Sequence, residues 1–86
     1  MEQTLQTFAV GLVKDKLAKL RLHTYETVYS LDTVEINFYT DRRFNVLKTE
    51  QSIRNLLDRL NVGATIEPIE SELEDDAFYC LTLYFD

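Results

Sequence analysis

The ten residues Ala77-Phe78-Tyr79-Cys80-Leu81-Thr82-Leu83-Tyr84-Phe85-Asp86 form the most apolar run of this 86-residue chain. Aromatic and branched side chains suit a pleated surface, so Ala77 to Phe85 reads as a strand. Side chains alternate across a strand. Tyr79, Leu81, Leu83 and Phe85 therefore share one face, and Phe78, Cys80, Thr82 and Tyr84 the other. A strand that is apolar on both faces wants neighbours along both edges, and at an exposed edge it would invite aggregation. The sequence thus places this strand in the centre of a sheet, with the rest of the chain arranged to cover it.

The preceding segments read in order. Leu5, Phe8, Leu12, Val13, Leu17 and Leu20 recur at helical spacing, which predicts a helix over Glu2 to Leu20 with that apolar stripe inward. Gly11 weakens the helix unless it marks a close approach to the sheet. Leu22 to Tyr29 reads as a strand, with His23, Tyr25, Thr27 and Tyr29 on one face. Thr33 to Tyr39 reads as the next, with Val34, Ile36 and Phe38 opposite Glu35, Asn37 and Tyr39. Phe44 to Leu47 would close an antiparallel meander through a turn at residues 40–43. A second helix follows from Thr49 as N-cap, burying Ile53, Leu56, Leu57 and Leu60. Asn61-Val62-Gly63 would stop it, with Gly63 able to take the left-handed conformation. Ala64 to Ile69 is a fourth, shorter strand; Pro68 has no N–H, so it suits an edge position or the strand's end. The expectation is one small α+β domain spanning residues 1–86, of order α-β-β-β-α-β-β, with a mainly antiparallel sheet and both helices on one face.

Charge is the second constraint. The net charge is −6, but residues 1–63 hold all nine Lys and Arg against eight acids. Residues 64–86 hold seven acids and no base. Such polarity bears on partners and steering rather than on fold. The basic residues Lys14, Lys16, Lys19 and Arg21 complement the C-terminal end of the first helix, which explains them structurally.

Catalytic and cofactor chemistry finds no motif. One Cys (Cys80) and one His (His23) cannot make a zinc site, and Gly11 and Gly63 stand apart from any phosphate loop. The acidic run lacks the alternating ligands and turn glycine of a calcium loop. No cofactor, metal or enzyme activity is expected. Direct nucleic-acid binding would need Tyr25, Tyr29, Tyr39 and Phe44 with Arg42 and Arg43 as a stacking platform, and the net charge disfavours it. A lone cysteine, no membrane-length apolar run and an N-terminus without a basic, cleavable leader point to a cytoplasmic protein, in a host cell if its source is viral.

Two functional readings remain. The first is a small acidic inhibitor or adaptor that covers a basic, even nucleic-acid-binding, surface of a partner protein. Its contact residues would be Glu70, Glu72, Glu74, Asp75 and Asp76, with Tyr79 and Tyr84 as anchors. Carboxylates there would occupy sites that otherwise hold phosphates. Small size, acidity and missing catalytic motifs are shared with phage-encoded inhibitors as a class. The second reading is an assembling subunit that forms a homodimer through a tyrosine-bearing sheet face or the last strand.

Overall fold

A computed structural model describes residues 2–41, 43–69 and 77–85, with side chains from Leu5 onward. The elements run α1 (Glu2–Lys19), β1 (His23–Tyr29), β2 (Thr33–Thr40), α2 (Val46–Leu57), β3 (Gly63–Ile69) and β4 (Ala77–Tyr84), with a short 3-10 turn at Asp58–Leu60. The sheet is antiparallel throughout and ordered β1-β2-β4-β3. The α+β class and the central position of the last strand are as the sequence predicts. β4 lies between β2 and β3, its apolar character on both faces matched by a neighbour on each side.

The helices cover one face. From α1, Ala9, Val10, Val13 and Leu17 enter the core. From α2 come Ile53 and Leu57, and from the sheet Val34, Ile36, Phe38, Ala64, Ile66, Leu81 and Leu83. Each fully buried Leu, Ile, Val or Phe contributes about 1.5–3 kcal/mol relative to exposure. Beside this aliphatic centre, Phe38 stacks on Tyr79 with ring centroids 5.5 Å apart. Phe44 meets the Tyr79 ring edge-on at 4.8 Å.

Four expectations are corrected. First, Phe44 to Leu47 is not a strand. Asn45 adopts extended backbone angles and its side-chain oxygen accepts from the Lys48 amide at 2.9 Å, so Asn45, not Thr49, caps α2. The inward spacing then runs Val46, Thr49, Ile53, Leu57, and Leu47 turns outward at 78% exposure. A four-residue apolar run fits either period, and the capping side chain decides it. The β1–β2 pair is consequently a hairpin and not part of a three-strand meander.

Second, the buried stripe of α1 is Gln6, Ala9, Val10, Val13 and Leu17, whereas Leu5, Phe8 and Leu20 are exposed. The smaller Ala9 and Val10 lie inward where the helix meets the core, and Phe8 is left outside. Gln6 is held there because its side-chain amide donates to the carbonyls of Ser30 and Leu31, tying α1 to the hairpin turn. A Cβ on Gly11 would meet nothing within 4 Å, so this glycine marks no close approach.

Third, the left-handed stop after α2 is Asn61, at φ 58° and ψ 35°, and Gly63 is simply the first residue of β3. Asn tolerates this conformation because its short polar side chain bonds locally. The corresponding position after α1 is Arg21, at φ 61°. There the Leu22 amide donates to the Leu17 carbonyl and the Arg21 amide to that of Ala18, the paired bonds of a Schellman motif. Leu17 and Leu22 are both buried beneath it.

Fourth, β1 does not keep period two. Thr24 pairs with Phe38, but the next partners are Glu26 and Asn37, so Tyr25 is an extra residue in a bulge. The alternation flips behind it. Glu26 and Val28 join the face of Asn37 and Glu35, while Thr27 and Tyr29 join that of Ile36 and Val34.

Candidate functional site: the open face of the sheet

The face opposite the helices is built by strand alternation alone. Pairing places His23, Tyr39, Phe78 and Ile69 in one row across the four strands. Glu26, Asn37, Cys80 and Glu67 form the next row, and Val28, Glu35, Thr82 and Thr65 the one after. The bulged Tyr25 leans over the first row. Its ring lies 6.0 Å from Tyr39 and 5.8 Å, edge-on, from Phe78. Tyr39 and Phe78 are 5.5 Å apart, and His23 lies 5.1 Å from Tyr39 on the other side. Three rings in mutual contact leave no gap for a group between them, so they make a platform rather than a cage. Tyr25 is half exposed.

The charge on this face has one sign. None of the described strands contains Lys or Arg, and their acids are Glu26, Glu35 and Glu67. Every described basic residue lies on the helical layer or in the connections: Lys14, Lys16, Lys19, Arg21, Arg43, Lys48, Arg54 and Arg59. Among the described residues the open face is thus acidic, while the helical layer is modestly basic, its six Lys and Arg set against Glu2, Asp15, Glu50 and Asp58. Within the basic layer Lys19 pairs with Asp15 at 3.2 Å, both side chains well exposed.

Cys80 lies between the carboxylates. Burial pushes its thiol pKa up, the Thr82 hydroxyl at 3.8 Å opposes this, and Glu35 and Glu67 push it further up. All but the hydroxyl disfavour thiolate chemistry at neutral pH. Among the described residues no group of His, Cys, Asp and Glu is arranged to hold a metal ion. No described helix is long and apolar enough to cross a membrane.

Of the residues expected to contact a partner, Tyr84 lies on the open face. Its ring lies against Gly63 on the neighbouring strand and its hydroxyl is 3.3 Å from that of Thr65. Tyr79 lies on the covered face, packed with Phe38 and Phe44. Glu70, Glu72, Glu74, Asp75 and Asp76 lie outside the described residues, as does Arg42. The chain that carries the five acids joins Ile69 to Ala77, and Ile69 pairs with Phe78 in the aromatic row. The nucleic-acid platform considered from the sequence loses two members. Phe44 belongs to the covered side, and Tyr29 follows the flipped alternation of β1. His23 and Phe78 stand in the ring cluster with Tyr25 and Tyr39, and Glu26, Glu35 and Glu67 share the face, where they repel phosphates.

The edges of the sheet differ as well. On β3, Arg54 Nε donates to the Ala64 carbonyl at 2.8 Å, and the Ile66 amide donates to Glu50 Oε2 at 2.9 Å. Glu50 Oε1 also pairs with Arg54 at 3.2 Å. Backbone groups alternate in direction along a strand, so Ala64, Ile66 and Pro68 share the outer edge. Side chains from α2 bond the first two, and the third has no N–H. The Glu50–Arg54 pair is predictable at i,i+4, but its use as a strand cover depends on how α2 lies beside β3.

No family model, no curated protein and no solved structure matches this chain.

Proposed function

We propose that this chain is a small non-enzymatic binding module, an inhibitor or adaptor, that covers a basic surface of a partner protein. The contact surface is the acidic segment Glu70 to Asp76 together with the open face of the sheet. One observation carries the reading: the described strands contain no Lys or Arg, and their carboxylates share the uncovered face with Tyr25, Tyr39 and Phe78. Aromatic rings beside carboxylates suit guanidinium and ammonium groups, which stack on the rings and pair with the acids. A surface that binds phosphates offers those groups, so the module would compete with nucleic acid for it. Rim charges act mainly on encounter rate and salt dependence, and central aromatics on dissociation.

The test is capture from a lysate of the source or host. Wild type would retain a partner that raised salt or a polyanion releases. The quadruple variant Glu72→Lys, Glu74→Lys, Asp75→Lys, Asp76→Lys and the triple variant Glu26→Lys, Glu35→Lys, Glu67→Lys would each lose it. Equal capture by all three proteins would remove the proposal.

A second reading follows from the charge difference between open face and helical layer: the acidic face of one copy could lie on the modestly basic helical layer of another. That contact is heterologous and would give rings or filaments rather than a closed dimer. Sedimentation over a wide concentration range separates the two, since this assembly grows with concentration and dissolves in salt. β4 has a neighbour on both edges, so a second copy could meet the last strand through its open face but not by strand addition.

A further inference from the structure

Among the described residues, one edge of the sheet is covered and the other is not. β3 has Glu50, Arg54 and Pro68 along its outer edge. β1, at the opposite edge, is exposed at every residue but Thr27, and among the described residues no side chain is bonded to its backbone. The Ser30 amide donates to the Thr33 carbonyl at the hairpin turn. By alternation, Val28 and Glu26 turn their backbone groups toward β2, and Thr27 and Tyr29 turn theirs outward. The bulge at Tyr25 ends this regular stretch and throws the Tyr25 ring onto the open face.

We infer that β1 is a docking edge, and that its occupant is an extended segment of the basic partner with Arg or Lys at every second residue. The inference rests on the proposed function for the sign of the partner's charge. In strand addition, main-chain hydrogen bonds supply affinity and alternate side chains supply choice. A strand paired with Thr27 and Tyr29 places every second side chain on the open-face side. There it meets Glu26, with Glu35 in the next strand and the half-exposed Tyr25 ring alongside. Two carboxylates and a ring face select a cation, and a guanidinium satisfies both. A second copy is the poorer occupant. Each copy carries −6, and β1 offers Glu26 with no Lys or Arg to pair with it. Nucleic acid is excluded by the same carboxylates and has no strand to add.

The test uses the whole chain and a short synthetic peptide that alternates arginine with valine, followed by amide hydrogen exchange and NMR shifts. The expected result is slowed exchange at the Thr27 and Tyr29 amides and none at Ile66, whose amide is already bonded to Glu50. A peptide N-methylated at alternate residues, which removes the edge donors and leaves the protein unaltered, should bind about tenfold more weakly. Thr27→Pro should do the same, since an edge strand accepts proline where its N–H points outward, as Pro68 does in β3. Equal binding of both peptides, with shifts confined to the Tyr25, Tyr39 and Phe78 rings, would overturn edge docking and leave the proposed function standing. Equal protection by a peptide alternating glutamate with valine would overturn the basic occupant. Protection that rises with protein concentration alone would identify a second copy instead. Binding of a single-stranded oligonucleotide in place of the peptide would overturn both proposals. Edge protection by the arginine peptide alongside equal lysate capture by the charge-reversed variants would retain the edge and remove the proposed function.

Discussion

Phe38 and Tyr39 are neighbours in β2 and live in different solvents. Phe38 is fully buried under the helices, stacked on Tyr79 and against the aliphatic core. Tyr39 is only half-buried, among His23, Tyr25 and Phe78 on a face that no helix covers. Both faces are aromatic, so hydrophobicity alone does not distinguish them. Coverage does. The covered face has the contacts that set stability, while the rings of the open face make pairs with each other and with water. A substitution there should cost less folding energy than one under the helices, which leaves the face free to be specialised for recognition.

The sharpest way to break the comparison is to truncate each neighbour in turn. Phe38→Ala should destabilise by about 3–5 kcal/mol through lost burial and a cavity, read as a lower denaturant midpoint. Tyr39→Ala should cost clearly less. Equal losses would mean that the open face is a second core and would undo the contrast.

Removing the cover of β3 comes next. Glu50→Ala leaves the Ile66 amide without its acceptor, and the expected cost is about 1–3 kcal/mol. Faster hydrogen exchange at Ile66 would accompany it. No change at that amide would show that the carboxylate is incidental to the edge.

Within the open face, Tyr25→Ala removes the ring contacts to Tyr39 and Phe78 and should cost about 0.5–1.5 kcal/mol beyond the area lost. The same variant should weaken binding of an arginine-rich peptide, so stability and binding would part company here as they do not at Phe38.

The smallest effects are gains on the helical layer. Gly11→Ala should stabilise by up to about 1 kcal/mol, since the position is helical and its new methyl meets nothing. Arg21→Gly should gain about 1 kcal/mol by relieving the left-handed backbone. A loss at Gly11 would reveal a contact on the outer side of α1.

How much of this was legible varied by residue. Tyr25, Tyr39, Phe78 and Tyr84 are assignable to one face from period two, and the open platform follows. Tyr29 is not, because the bulge at Tyr25 inserts one residue and inverts everything after it. Nothing in the sequence His-Thr-Tyr-Glu-Thr-Val-Tyr marks that insertion, which depends on how β1 is held against β2. Glu26 is brought to the open face by the same bulge, whereas Glu35 follows from the unbroken alternation of β2. Period two groups Tyr79 with Leu81 and Leu83, and that side of β4 packs under the helices against Phe38 and Phe44. The acids Glu70, Glu72, Glu74, Asp75 and Asp76 lie outside the described residues, and what they contribute is charge.

The sequence by itself determined the α+β class, the two helices, the central placement of β4, the suitability of the proline strand for an edge and the lack of bases in the C-terminal 23 residues. These rest on local periodicity, on proline's missing donor and on charge, all properties of short stretches. Tertiary structure decided that Asn45 and not Thr49 starts α2, that Ala9 and Val10 rather than Phe8 face inward, and that Glu50 and Arg54 close one edge while β1 stays open. Each of those depends on which surfaces meet. A four-residue run, a helix face or an i,i+4 pair has more than one acceptable local solution, and burial against a neighbour distant in sequence selects among them.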